Sequence, residues 1–148
     1  MKRAAPGARR RRKFRQLPHT ADLGLRIWGG TREELFENAG AALTAVLTDR
    51  RRLRRQQTEE IALEAPDLEA LLVAWLNHLL YLYDVDAFLG REFQVLELNS
   101  QRLEARVWGE PLDPKRHRAG TAVKAATYHH LEIVERNGRW EATVILDL

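Results

Sequence analysis

The chain has 148 residues, of which 45% are hydrophobic and 30% charged, and its formal net charge is +3. This length and balance are typical of one globular domain that buries its own core. There is no cysteine, which excludes a disulfide framework, a thiolate zinc site and a cysteine nucleophile. We therefore expect a single domain suited to a reducing cytoplasm.

No segment is expected to enter a membrane. The longest nearly apolar stretch covers residues 71–82 and is interrupted by Asn77 and His78, whereas a bilayer span needs about 20 consecutive apolar residues. The basic N-terminus leads into Arg9–Lys13 and not into the apolar core of a signal peptide. The sequence therefore predicts a soluble, cytoplasmic protein.

The positive charge is concentrated at the N-terminus. Residues 1–18 contain eight basic residues and no acidic ones, so the remaining 130 residues carry a net charge of −5. We predict that residues 1–13 form a basic, disordered tail, which is usually a solvated arm. Weak contact between this arginine-rich tail and an RNA backbone is the alternative. The five arginines of segment 50–55 invite the same two interpretations.

In chain order, the first predicted elements are a strand and a helix. Leu23, Leu25 and Ile27 alternate with less apolar residues, which indicates a strand that ends at Gly29-Gly30. Thr31 and Glu34 then form a capping-box pattern, in which each can satisfy the other's free backbone amide. Behind them, apolar residues recur at helical spacing, so residues 32–47 are predicted to form an amphipathic helix.

A second strand and helix follow, and then a series of strands. Residues 58–65 alternate as a strand, and Asp67 is the predicted N-cap of a helix with a wide apolar face. Asn137-Gly138 is a strong hairpin signal between the last two strands. The four final strands are predicted over residues 91–98, 102–110, 122–135 and 139–147. The predicted fold class is α+β, a single domain with a largely antiparallel sheet and two α-helices packed on one face.

Two aspartates at predicted strand ends are the main candidates for a binding site. Periodicity places Asp22 and Asp147 on the faces opposite the apolar side chains of their strands. If the strands are neighbours, both carboxylates and the terminal carboxylate of Leu148 could converge on one cation. Oxygen-only ligation favours Ca²⁺, Mg²⁺ or Mn²⁺. Aspartates at strand ends are also common as solvated caps, so the pattern leaves both interpretations open.

His19 and Lys124 each have two interpretations. His19 begins a polar turn that either only enters the strand or positions Asp22. Lys124 lies at a partly interior strand, where its ammonium group either reaches solvent along its aliphatic stem or neutralises the two aspartates.

The remaining polar residues suggest no catalytic site. His117 lies in a polar loop and is expected at the surface, whereas His129 and His130 are expected on opposite faces of a strand. The single serine, Ser100, lies in a predicted turn, so a serine-based triad is not credible. Gly29-Gly30 lacks the lysine and spacing of a phosphate-binding loop.

Seven segments form a set along the chain: His19-Thr20-Ala21-Asp22-Leu23-Gly24, the 31–47 helix, Leu71 to Tyr81, Gly109-Glu110, Asp113 to His117, Lys124-Ala125-Ala126-Thr127-Tyr128-His129 and Leu146-Asp147-Leu148. Taken together, these segments resemble the archease family over about residues 14–148. The chain differs from the family pattern at Ala74, His78 and Ala126, none of which is a candidate ligand.

The resemblance implies a site as well as a fold. Proteins of this family bind a divalent cation through acidic residues near the two ends of the domain. Carried over by motif, the expected ligands are Asp22, Asp147 and the carboxylate of Leu148. Lys124 is then expected to have a functional role, and His19 and His117 supporting ones. Ca²⁺ is the favoured ion, with Mg²⁺ or Mn²⁺ as alternatives.

The resemblance also implies a partner. Archeases act with RtcB-type RNA ligases, which seal RNA ends that carry a 2′,3′-cyclic phosphate or 3′-phosphate. We therefore expect an accessory factor, not an enzyme, that promotes ligase guanylylation and multiple turnover in tRNA splicing and RNA repair. The alternatives are a chaperone that modulates a tRNA methyltransferase, a metal-dependent hydrolase, and an RNA-binding module. The hydrolase lacks an evident general base and nucleophile.

Overall fold

The protein is described here by a computed structural model that covers residues 12–18 and 21–148. Apart from Arg12 and Lys13, the predicted basic tail lies outside the described residues. Within the described ranges, the helices are α1 (Arg32–Leu47), a 3-10 helix (Arg50–Arg52) and α2 (Leu68–Asp86). The strands are β1 (Phe14–Pro18), β2 (Asp22–Gly29), β3 (Gln57–Glu64), β4 (Phe88–Leu98), β5 (Arg102–Pro111), β6 (Ala125–Arg136) and β7 (Arg139–Asp147).

The strands form two antiparallel sheets. One has four strands in the order β1-β2-β7-β6, and the other has three in the order β3-β5-β4. The predicted α+β class and antiparallel pairing are confirmed, but the strands divide between two sheets where the sequence suggested one. Alternation of apolar residues indicates which face of a strand is buried and does not indicate which strand lies beside it.

The helices begin where the sequence predicts, with one difference at α1. Thr31 Oγ1 accepts a hydrogen bond from the Glu34 N–H at 3.0 Å, but the Glu34 carboxylate accepts from the Gly30 N–H and not from Thr31. Asp67 caps α2 as predicted, since its Oδ1 accepts from the Ala70 N–H at 2.8 Å. Both caps satisfy amides that have no partner inside the helix.

The helices join the two sheets into one core. Each helix contacts strands of both sheets: α1 packs against β2 and β4, and α2 against β6 and β4. At their crossing, the fully buried Trp75 donates its indole N–H to the Phe36 carbonyl at 2.9 Å, so its one polar group is satisfied. No helix within residues 12–18 and 21–148 is long and apolar enough to cross a bilayer.

The β6–β7 hairpin turns at the predicted dipeptide. Asn137 and Gly138 have φ values of 54° and 72°, the left-handed region that a two-residue hairpin turn of this type requires. The turn sets the register of the hairpin, whose other end pairs Ala125 with Asp147. The Asn137-Gly138 turn therefore helps to position Asp147, the C-terminal residue of the candidate site.

A bulge interrupts β6 near the middle of this hairpin. The pairing jumps from Thr127 opposite Ile145 to Glu132 opposite Thr143, and His130 has a φ of 55°. His129 and His130 are both exposed. The expectation that they lie on opposite faces of a regular strand is therefore wrong, because the extra residues break the alternation.

Candidate functional site

Asp22 and Asp147 form a cross-strand acidic pair at one end of the four-stranded sheet. Asp22 is the first residue of β2, Asp147 is the last residue of β7, and their Cα atoms are register partners. Residues directly opposite each other on antiparallel strands project to the same face, with Cβ atoms about 4.5–5.5 Å apart. Asp22 is half-buried and Asp147 is exposed, so the pair is accessible from solvent.

The backbones of Lys124 and Leu148 flank this acidic pair. The Lys124 N–H donates to the Asp147 carbonyl at 2.8 Å, and the Leu148 N–H donates to the Ala21 carbonyl at 3.4 Å. Ala125 pairs with Asp147 from the side opposite Asp22. Asp22, Asp147 and the start of β6 therefore form one row across three strands, and the exposed side chain of Lys124 begins at the end of that row.

The acidic pair fits a hard cation in the chemistry of its donors. Two like charges directly opposite on a sheet destabilise it, so the pair is favourable when a positive charge lies close by. Among the described residues, no three histidine, aspartate and glutamate side chains come together as a metal-binding group. A cation bound here would therefore have two side-chain ligands, and its further oxygen ligands would come from main-chain carbonyl groups or from water.

Asn77 holds the edge of the sheet beside this site. Its side-chain amide bonds the backbone of Ala126 in both directions: Asn77 Oδ1 accepts from the Ala126 N–H at 2.8 Å, and Asn77 Nδ2 donates to the Ala126 carbonyl at 3.2 Å. Because β6 is an edge strand, these backbone groups have no strand partner on that side. The sequence showed Asn77 only as a polar interruption of an apolar helix, and that interruption was the available signal.

His117 is buried, which makes its predicted surface position wrong. It is 5% exposed, and its Nδ1 accepts from the Asp113 N–H at 2.8 Å while Nε2 lies 3.1 Å from the Glu110 carboxylate. With Nδ1 acting as acceptor, the proton is on Nε2, which donates to Glu110. The polar residues around His117 are local turn formers, whereas the histidine side chain points back into the fold.

Glu110 is the centre of this buried cluster and is 2% exposed. Burial alone would raise the pKa of Glu110, but hydrogen bonds from Arg116, the Arg54 N–H and His117 outweigh that effect, so its pKa lies below the usual value. The Arg54 N–H donates to it at 2.7 Å. Glu110 is therefore ionised at neutral pH and ties the 113–118 loop to the segment that precedes β3.

The same loop is also fixed to the end of α1. Thr48 Oγ1 donates to the Arg118 carbonyl at 2.6 Å, and the Gly120 N–H donates to the Leu47 carbonyl at 2.8 Å. The chain between β5 and β6 is thus held at Glu110, at Thr48 and at Lys124. His19, the remaining predicted site residue, lies outside the described residues.

Comparison with known proteins identifies the family. The profile of the archease protein family matches residues 14–148 of the chain. The chain belongs to the archease family. The resemblance carried by its sequence motifs is therefore confirmed, and Asp22, Lys124 and Asp147 all lie within the matched residues.

Archease relatives match over nearly their whole length. The chain is 40% identical to the protein archease of Methanosarcina barkeri over 141 residues, which cover 93% of this chain and 97% of that protein. It is 36% identical to the protein archease of Sulfurisphaera tokodaii over 137 residues, which cover 92% and 99%. Both relatives carry the name protein archease, which states no catalytic activity.

Two solved structures share the fold. The solution structure of Methanobacterium thermoautotrophicum protein 1598 has a TM-score of 0.79 and 32% sequence identity, covering 91% of this chain and 98% of that one. The crystal structure of a Thermotoga maritima archease, described as a possible chaperone, has a TM-score of 0.61 and 22% identity, covering 95% and 99%. The second likeness shows the fold alone. Together they confirm the α+β class.

Proposed function

We propose that this archease-family chain is an activating partner of an RtcB-type RNA ligase in tRNA splicing and RNA repair. It works through a divalent cation held by Asp22 and Asp147, and it makes or breaks no bond itself. The observation that carries the proposal is the register of β2 and β7, in which these two carboxylates are direct partners at the accessible end of the sheet. The expected ion is Ca²⁺, with Mg²⁺ or Mn²⁺ as alternatives.

The acidic pair and the residues around it have different roles in the proposed mechanism. Asp22 and Asp147 hold the cation, the carboxylate of Leu148 completes the oxygen donors, and the cation presents a hard positive centre at the surface that oxygen groups of a partner can bind. Lys124 adds a second, exposed positive charge at the same end of the sheet. His117 supports the loop that leads to Lys124 through its hydrogen bond with Glu110.

The charge of the domain supports a basic partner. Residues 19–148 carry a net charge of −5, which complements a ligase that must bind RNA. Complementary fields raise the association rate of two proteins more than they raise affinity. We therefore expect binding of the ligase to weaken as salt concentration rises.

Multiple-turnover ligation tests this proposal. The cognate RtcB-type ligase is assayed with an excess of RNA ends, with and without a substoichiometric amount of this chain. We expect several products per ligase only when the chain is present. Two results together would replace the proposal with the methyltransferase-chaperone alternative. The first is a competent ligase that is unaffected by the chain, and the second is a tRNA methyltransferase that binds the chain and whose specificity changes as a result.

A further inference from the structure

A basic cavity lies between the 3-10 helix and the loop that precedes β6. Its volume is about 530 Å³, within the range of about 300–1,000 Å³ that is typical of small-molecule sites. It is lined by Asp49, Arg52, Pro114, Lys115, Arg116, His117 and Arg118. We call it the basic cavity. It shares no lining residue with the acidic pair.

Charge is unevenly distributed around this cavity. Four of its lining residues are lysine or arginine and one is acidic, although the domain as a whole is net negative. The acidic one, Asp49, is engaged by Arg51, whose Nε lies 3.1 Å from Oδ1. In the part of the chain that the structure describes, Arg52, Lys115 and Arg118 take no part in the ion pairs of this region. Their charges are therefore available to a ligand.

One of the four basic side chains that line the cavity, Arg116, is held in place by carboxylates outside the cavity. Arg116 donates to the buried Glu110 and its Nε lies 3.5 Å from Asp113 Oδ2, while its side chain is 31% exposed. A guanidinium fixed by carboxylates on one side keeps donors free on the other and loses less conformational entropy when it binds an anion. The hydrogen bond from Thr48 to the Arg118 carbonyl fixes the other end of the loop.

We propose that the basic cavity is a phosphate-binding site, in which Arg52, Lys115, Arg116 and Arg118 surround the phosphate group of a nucleotide or an RNA strand. A phosphate monoester carries about −1.5 to −2 charges on three oxygens at pH 7, and arginine forks match its geometry. Carboxylates of an acidic peptide carry one charge each and would neutralise such a cluster less completely in the same volume. The site is independent of the cation proposed at the acidic pair.

Matched double variants of the full chain test this assignment. Arg52→Gln with Arg118→Gln removes two cavity charges, and Arg54→Gln with Arg55→Gln removes two charges from the same basic segment outside the cavity. All four residues are exposed or half-buried at the surface, so we expect both variants to fold. Binding is measured for inorganic pyrophosphate, for ATP and for a short fluorescent single-stranded RNA, at one fixed salt concentration.

The expected result is a loss of about tenfold or more in affinity for the cavity variant and a change within about twofold for the control variant. If pyrophosphate or ATP binds with this pattern, the phosphate belongs to a small molecule. If only RNA binds with it, the phosphate belongs to a strand. Equal weakening by both variants would show a diffuse field from the basic residues, and that result, or no binding of any probe, would overturn the proposal.

A second measurement does not depend on the variants. On titration with the probe that binds, amide resonances of residues 113–118 are expected to shift, whereas those of Asp22 and Asp147 stay unchanged. Shifts confined to other parts of the chain would place the anion elsewhere and contradict the basic cavity as its site.

Discussion

Asp22 and Asp147 lie directly opposite each other on β2 and β7, although they come from opposite ends of the domain's sequence. Antiparallel pairing of the first long strand with the last one brings them together, and the hydrogen bond from Lys124 to the Asp147 carbonyl adds a third segment. The proposed activity depends on this row. Two neighbouring carboxylates repel each other, which gives the site measurable consequences even before a partner is present.

Neutralising one aspartate should separate intrinsic stability from cation binding. Without divalent ions, Asp22→Asn should leave the free energy of unfolding unchanged or raise it by up to about 1 kcal/mol, because like charges no longer face each other. With Ca²⁺ at 100 times its dissociation constant, the parent chain should gain about 2.7 kcal/mol, or about 5–10 °C in Tm. The variant should gain none, as measured by thermal unfolding with Ca²⁺ and with chelator.

Exposed aspartates elsewhere provide the control for this comparison. Asp84→Asn, on the exposed surface of α2, should keep the full shift with Ca²⁺. An equal shift in parent chain, Asp22→Asn and Asp84→Asn would mean that the ion binds outside the acidic pair.

Replacing Lys124 should affect activation of the ligase and leave folding intact. Its side chain is exposed, so Lys124→Ala should change the free energy of unfolding by no more than about 0.5 kcal/mol. Ligation products per ligase should fall clearly, because a positive charge at the end of the acidic row is lost. Lys13→Ala removes another exposed lysine and serves as the matched control. Equal activation of the ligase by the two variants would show that Lys124 takes no part in the site.

Acid should selectively weaken the cluster around Glu110. The pKa of this carboxyl is lowered in the folded state, since hydrogen bonds outweigh the opposing effect of burial. A lowered pKa contributes stability above the unfolded-state value of 4.5, and this contribution disappears as pH falls through the folded-state value. Glu110→Gln should therefore be less stable than the parent chain at neutral pH, by about 1–3 kcal/mol, and the difference should shrink below about pH 4.5.

Urea unfolding over a pH series measures this difference. Glu104→Gln is the control, because Glu104 pairs with Arg102 where both side chains are 39% exposed, and such a pair contributes about 0–1 kcal/mol. A Glu110→Gln difference that stays constant across the series would mean that Glu110 does not titrate as described.

Asn77 should be important for the edge of the sheet. Asn77→Ala leaves the N–H and the carbonyl of Ala126 without their partner, and an unsatisfied buried group costs about 1–3 kcal/mol. Hydrogen exchange should become faster at Ala126. His78→Ala, at the next position on α2 and also half-buried, should leave that exchange rate unchanged. Unchanged exchange in Asn77→Ala would show that β6 is held by other contacts.

The parts of this structure that sequence reasoning predicted are those fixed by local chemistry. The caps at Thr31 and Asp67 and the Asn137-Gly138 turn each depend on residues within a few positions of one another. The division into two sheets depends on which strands become neighbours, and periodicity alone contains no information on that.

The candidate site shows the same limit. Strand alternation placed Asp22 and Asp147 on suitable faces, but only the β2–β7 register makes them partners. His117 was expected at the surface because its neighbours are polar, but its side chain turns back to the buried Glu110 near the end of β5. The basic cavity likewise combines the 3-10 helix with a distant loop. In the sequence, Arg52 belonged to an arginine-rich segment and Arg116 to a polar loop, and nothing indicated that the two come together.

The most direct test of the central claim is multiple-turnover RNA ligation with Asp147→Asn beside the parent chain and Asp84→Asn. All three proteins are added in substoichiometric amounts to the same competent RtcB-type ligase, after their Tm values show that they are folded. The account predicts many products per ligase with the parent chain and with Asp84→Asn, and a return to the level of ligase alone with Asp147→Asn. Full activation by a folded Asp147→Asn protein would contradict the claim that the acidic pair and its cation activate the ligase.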